Sequence, residues 1–252
     1  MDPADAVLAR IAELEHIEEL WRARVRRLAS ALSHDLRAPI RHVHGFGAIA
    51  QEALERDPPD VESALRCVTR MLDAARRADE MATALTRWAR QPEPPLELEV
   101  VDLADVVSGA IDAAAPDIEA REATIEVGDL PSVAGHGELL AQALGHLIVN
   151  AVRFVPPERT PHVEISGGDD GSTWWIAVSD NGDGVPEDER AHVFDLFRWG
   201  TNAVDRGGAG AGLAFVRSIV ELHGGTVTIG DTAEGGAVLL LAIPGRATTT
   251  DT

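Results

Sequence analysis

Lysine and tyrosine are missing altogether from this 252-residue chain, and cysteine occurs once, at Cys67. A single cysteine excludes an internal disulfide framework and any multi-cysteine metal centre. It reads as a small buried hydrophobe. No apolar run approaches the ~18 residues that a membrane-crossing helix needs. The N-terminus lacks the apolar stretch of a secretory signal. The expectation is a cytoplasmic protein with no membrane segment. Positive charge is also scarce: 22 arginines stand against 42 Asp and Glu, a formal net charge of −20. Such acidity repels phosphate backbones and anionic headgroups, and argues against non-specific binding to nucleic acid or membrane surfaces. The missing lysine fits a GC-rich coding sequence, and the acidity fits adaptation to high salt, where self-repulsion is screened. Both readings stay open.

What is present is ordinary for a globular protein, with 45% hydrophobic and 25% charged residues. Residues 5–56 carry Leu14, Ile17, Trp21, Val25, Leu28 and Leu32 at steps of three and four, which predicts a long helix with one buried apolar face. The spacing is close to a heptad and suits a coiled-coil entry. Glutamates 13, 15, 18 and 19 precede arginines 22, 24, 26 and 27, so the charges read as a solvated face with i, i+4 pairs available. Asp57-Pro58-Pro59-Asp60 stops the helix, and Asp60 is placed to cap the next one. Periodicity resumes over 61–90 through Val61, Leu65, Val68, Leu72, Ala75, Met81 and Leu85. Two long helices with a short connection predict an antiparallel hairpin. One hairpin cannot bury its apolar face alone, so a dimeric four-helix bundle, hence a homodimer, is expected.

Gln91-Pro92-Glu93-Pro94-Pro95 is a stiff linker. After it, β-type runs (Leu98–Val101, Thr124–Val127, His162–Ser166, Trp174–Ser179, Thr226–Ile229, Ala237–Ile243) are mixed with helical stretches (Leu103–Ala115, His136–Phe154, Ala211–His223). This order predicts an α+β or α/β sandwich of two layers. The expected domains are a helical one at 1–91, an α/β two-layer one at 97–246, and a disordered polar tail at 247–252.

Chemistry concentrates in four segments. In Ser33-His34-Asp35-Leu36-Arg37-Ala38-Pro39-Ile40, helical spacing puts Leu32, Leu36 and Ile40 on a buried face and His34, Arg37, Ala38 and Arg41 on an exposed one. Neutral imidazole is a nucleophile near pH 7, and Asp35 can take the ring proton. Pro39 is expected to kink the helix one turn below. Taken alone, His34 fits an ordinary surface histidine better than a phosphoacceptor. Asp180-Asn181-Gly182-Asp183-Gly184 follows a strand-like run; a carboxylate there can accept an adenine amine, and glycines allow close backbone approach. Taken alone it fits a common turn better than a base-binding site. Gly207-Gly208-Ala209-Gly210-Ala211-Gly212-Leu213 opens a helix and offers N–H groups and a dipole end to a polyphosphate, but lacks the Gly-Lys-Ser/Thr ending of a P-loop. In Gln142–Phe154, His146, Asn150 and Arg153 share one face of an apolar helix; Asn150 offers an amide oxygen to Mg²⁺ and Arg153 a cation to phosphate.

The acceptor segment resembles the phosphoacceptor box of sensor histidine kinases, Ser-His-Glu/Asp-Leu-Arg-x-Pro-Leu. The other three, in their order and spacing, resemble the ATP-binding domain shared by histidine kinases, gyrase, Hsp90 and MutL. The resemblance covers about residues 20–245. It implies a protein-histidine kinase: ATP phosphorylates His34 with Asp35 assisting, and the phosphoryl group passes to an Asp on a response regulator receiver domain. It implies ATP and Mg²⁺ as cofactors, Asn150 as metal ligand, Asp180 with Gly182 and Gly184 as adenine reader, and Gly208, Gly210, Gly212 and Leu213 as phosphate loop. Residues 185–207 would form a lid, in which Val193-Phe194-Asp195-Leu196-Phe197 looks like the kinase phenylalanine box.

Several positions depart from the pattern. Ala38 stands where many of these kinases carry Thr or Asn to place water for dephosphorylating the regulator, so the implied protein is mainly a kinase and phosphodonor. His146 replaces the usual Asn, Arg153 the usual Lys, and Trp199 a common Arg, for which Arg198 is the substitute. The absence of Glu at 146 disfavours a simple ATPase, and the hairpin disfavours a serine kinase of the same nucleotide fold. A histidine phosphotransfer protein with a degenerate ATP domain is the alternative. Few residues precede the acceptor segment, so the expected signal source is a separate sensor protein or a further part of a longer chain.

Overall fold

The computed structural model describes residues 11, 15, 18, 21, 22, 25, 26, 29, 35–92, 95–198, 210–233 and 235–245. His34 and Gly208 lie outside these. The chain divides into two compact units, Met1–Pro94 and Pro95–Thr252.

In the first unit, α1 (Arg37–Glu55) and α2 (Val61–Ala89) form the hairpin. Asp60 caps α2 as its position suggests, its carboxylate accepting the Ser63 N–H at 3.0 Å. The helices meet through small side chains, Ala50, Ala53 and Ala64, with Cys67 packed against them. Pro39 follows a π-type turn at Asp35 and a helical Leu36, so the backbone is already helical before it and the missing N–H removes the i to i−4 bond toward Asp35. Ile40 departs from expectation: within one chain it is 44% exposed, and Val61, Leu65, Val68 and Leu72 on α2 are exposed too. Leu65 reaches 62%. The reason is geometric, because two helices cover only one stripe of each other and the remaining apolar residues have no neighbour within the hairpin.

The second unit is one helical layer on one sheet. Its elements in chain order are β1 (Glu99–Asp102), α3 (Leu103–Ala120), β2 (Thr124–Val127), β3 (Ser132–Gly135), α4 (Gly137–Arg153), β4 (His162–Asp169), β5 (Thr173–Asp180), α5 (Gly212–Leu222), β6 (Thr226–Asp231) and β7 (Ala237–Pro244). The five-stranded sheet runs β2-β4-β5-β7-β6, with β1 and β3 as a separate antiparallel pair. Only β2–β4 is parallel in the larger sheet. Alternation sets its faces: Trp174, Ile176 and Val178 of β5, Leu239, Leu241 and Ile243 of β7, and Val163 and Ile165 of β4 are buried. α4 lies centrally, in contact with α3, α5, β4 and β5. Its apolar stripe of Leu140, Leu144, Leu147, Ile148 and Val152 is fully buried. Helix α3 continues past the predicted stop at Ala115 because Pro116 sits on its exposed side, where the missing hydrogen bond faces water.

Candidate nucleotide site

The polar face of α4 carries His146, Asn150 and Arg153, all half-buried. The glycine-rich segment returns to this face. A Cβ built on Gly212 would lie 3.6 Å from His146 Nδ1, 3.8 Å from Asn150 Nδ2 and 3.9 Å from Asn150 Oδ1. Gly212 begins α5, so that helix directs its N-terminal end at Asn150, a geometry suited to an anion. The His146 ring is braced edge-on against Phe215 of α5, with centroids 5.2 Å apart. Leu213 is half-buried beside this end of the helix.

One turn further along α4 the Asp180 loop arrives. A Cβ on Gly182 would meet the Phe154 carbonyl oxygen at 2.9 Å and Asp180 Oδ1 at 2.8 Å, so this position tolerates no side chain. Residues 146, 150 and 154 succeed one another at one-turn intervals of about 5.4 Å. The glycine segment thus sits over the first two and the Asp180 loop over the third. Asp180 itself is 9% exposed at the end of β5. Its Oδ1 accepts the Gly182 N–H at 2.8 Å and the Ala237 N–H at 3.1 Å. Burial pushes its carboxyl above the usual 3.8, against the lowering effect of those two N–H groups and of Arg159. Among the described residues nothing donates to Oδ2, which leaves that oxygen to accept from a ligand.

The Asp180 loop also leans on the β6–β7 turn. Gly184 is left-handed at φ +65, and a Cβ on it would meet the Gly235 carbonyl at 2.8 Å. A Cβ on Gly236 would fall inside the carbonyl group of Asp180. Gly236→Ala is therefore expected to cost about 3 kcal/mol or more, since both colliding atoms are backbone and neither can swing away. Gly109→Ala, where a helical Cβ meets nothing within 4 Å, is expected to gain about 0.5–1 kcal/mol. Urea unfolding of the two variants checks the contrast.

In the described stretch 185–198, Phe194 and Phe197 are buried. Phe197 adopts φ +60, unusual for an aromatic, and its N–H donates to the Gly210 carbonyl at 2.8 Å. That bond ties the phenylalanine box to the glycine segment. Asp195 meets Arg217 of α5 at 3.4 Å. Arg198 is exposed. Arg153 pairs with Asp117 of α3 at 3.4 Å. In the other unit Asp35 is half-buried, and Arg37 and Arg41 are exposed. The Ala237 N–H, the close fit at Gly236 and the Phe197–Gly210 bond carry no sequence signature, because each joins segments remote along the chain.

A family model described as histidine kinase-, DNA gyrase B- and HSP90-like ATPase matches residues 135–247. The sensor-like histidine kinase SenX3 of Mycobacterium bovis is 34% identical over 221 residues, 84% of this chain and 52% of that protein. This chain carries the ATP-binding core of a sensor histidine kinase. The core is also similar to the sensor protein DivL of Caulobacter vibrioides, 32% identical over 249 residues, which cover 96% of this chain and 30% of DivL. The chain thus spans 30% to 52% of the length of these relatives. The histidine kinase ThkA, solved in complex with the response regulator protein TrrA, shares the fold at a TM-score of 0.62 and 20% identity, covering 92% of this chain and 66% of that one. Among the described residues, no helix of the kinase core is long and apolar enough to cross a membrane.

Proposed function

We propose that the chain is the catalytic core of a two-component sensor kinase, which uses ATP to phosphorylate His34 and donates the phosphoryl group to an aspartate of a response regulator receiver domain. The observation that carries this reading is the convergence of Gly212, Asn150 and the Asp180 loop along two turns of α4. Asp180 would accept the adenine amine, and the N-terminal end of α5, with Gly208, Gly210 and Gly212, would hold the phosphates. The residues fit such a ligand: a buried carboxylate presents an oxygen to which none of the described residues donates, and glycine stands at position 182, where a Cβ would meet the Phe154 carbonyl and Asp180 itself. Mg²⁺, held by Asn150, would neutralise charge on the phosphates. His34 attacks the γ-phosphorus, the bond to the ADP oxygen breaks, and Asp35 receives the ring proton.

The protein works as a homodimer in the cytoplasm, its two hairpins forming a four-helix bundle. Support comes from the exposed Val61, Leu65, Val68 and Leu72, which recur at steps of three and four along α2. The regulator docks on that bundle near Arg37 and Arg41, whose exposed cations suit an acidic receiver surface. Ala38 offers no side-chain hydrogen bond to a hydrolytic water, so the kinase donates phosphate far better than it removes it. Incubation with radiolabelled ATP tests the reading. Phosphate that is lost in acid and retained in base is expected, because a phosphoramidate is acid-labile. Acid-stable phosphate, or none, would overturn it.

A further inference from the structure

We propose that Arg159, in the connection between α4 and β4, is a positioning residue that holds the Asp180 loop in register for adenine; the proposal rests on the ATP reading above. One guanidinium spans the whole loop. Its Nη1 donates to the Asn181 carbonyl at 2.7 Å and to the Gly182 carbonyl at 3.3 Å, while Nη2 donates to Asp183 Oδ1 at 2.7 Å. Each of the three residues following Asp180 is thereby fixed from a single point. Asn181 adds a second fastening to the same connection: its Oδ1 accepts the His162 N–H at 2.9 Å, and its Nδ2 donates to the Thr160 carbonyl at 3.0 Å. The connection is itself turned back, with the Arg159 N–H bonded to the Pro156 carbonyl at 3.1 Å.

The consequence for recognition is geometric. Asp180 Oδ1 is held by the Gly182 N–H, so any drift of the Asn181–Gly182 backbone rotates the carboxylate as well. Arg159 suppresses that drift with charge-assisted bonds, and its charge favours the ionised form of Asp180 that an adenine amine needs. Only an arginine reaches two carbonyls and a carboxylate at once; a lysine offers a point charge without the fork.

Titration calorimetry of the whole chain with Mg-ADP and Mg-GDP tests the assignment, with melting temperatures measured alongside. Guanine carries a carbonyl where adenine carries its amine, so the ratio of the two affinities reports on Asp180 placement. Loss of a positive charge alone would weaken both nucleotides equally. Arg159→Ala is expected to weaken ADP about tenfold and to narrow the ADP-to-GDP preference. Arg159→Lys is expected to recover part of both, and Asp183→Asn to lose less than Arg159→Ala. A lowered melting temperature with an unchanged preference would show a purely structural role and overturn the proposal. ADP affinity within twofold of wild type would overturn it too. Wild-type protein that binds neither nucleotide would defeat the ATP reading itself, and this assignment with it.

Discussion

Asp180→Asn is expected to weaken ADP binding about a hundredfold, while the nucleotide-free protein becomes no less stable near neutral pH. The two effects share one cause. The carboxylate sits 9% exposed at the end of β5 with two backbone N–H groups on Oδ1. An asparagine satisfies those N–H groups with its carbonyl oxygen, which turns its NH₂ toward the adenine amine and sets donor against donor. Without nucleotide, however, the buried charge is a liability. Burial raises the folded-state pKa above the ordinary 3.8, so the folded protein holds this proton more tightly than the unfolded chain does. Stability from that proton is complete below about pH 4 and is lost as pH climbs through the raised value. Asparagine has no proton to lose, so the melting temperature of the variant should fall less than that of wild type between pH 4 and 8. Calorimetry across that range, with ADP titrations at pH 7, measures both halves. ADP binding within threefold of wild type would remove Asp180 from adenine recognition.

His34→Gln should abolish acid-labile phosphate while leaving ADP affinity within about twofold of wild type. Glutamine keeps polarity and approximate size but carries no nucleophilic nitrogen, so chemistry stops without a change in packing. The residue also belongs to a compact unit different from the one that holds the nucleotide motifs, which is why binding should survive. The two variants form a diagnostic pair, Asp180→Asn losing nucleotide and label together and His34→Gln losing label alone. Mixed and allowed to exchange subunits, they should regain label only if one protomer phosphorylates its partner. Residual label on His34→Gln, lost instead in a variant of His42 or His44, would move the acceptor to a neighbouring residue.

Much of this was legible along the chain because both the fold and the site are written largely in contiguous segments. The strand run at Thr124–Val127 alternates cleanly, the run Ala237–Ile243 is apolar throughout, and Asp60 announces its helix start by following two prolines. The polar face of α4 could be read because His146, Asn150 and Arg153 interrupt an otherwise apolar helix at regular spacing. What escaped was either weakly patterned or distant. The strand Ser132–Gly135 has only Val133 as a branched apolar residue, so nothing in its composition marks it, and it exists by pairing with Glu99–Asp102. Arg159 looked like one loop arginine among many; its role depends on carbonyls more than twenty positions later. Ile40 is exposed within the single chain, and no periodicity within a single helix distinguishes an intramolecular neighbour from an intermolecular one.

The position of β7 has a consequence for how the molecule is made. Last of the strands in the chain, β7 inserts between β5 and β6, and its first residue supplies the N–H that holds Asp180. The candidate nucleotide site therefore cannot close until the chain has emerged past Ala237, several seconds after Asp180 itself at ~5–20 residues per second. The helical hairpin, built from contacts between chain neighbours, needs no such wait. The helical hairpin can therefore form before the loop around Asp180 is held in place.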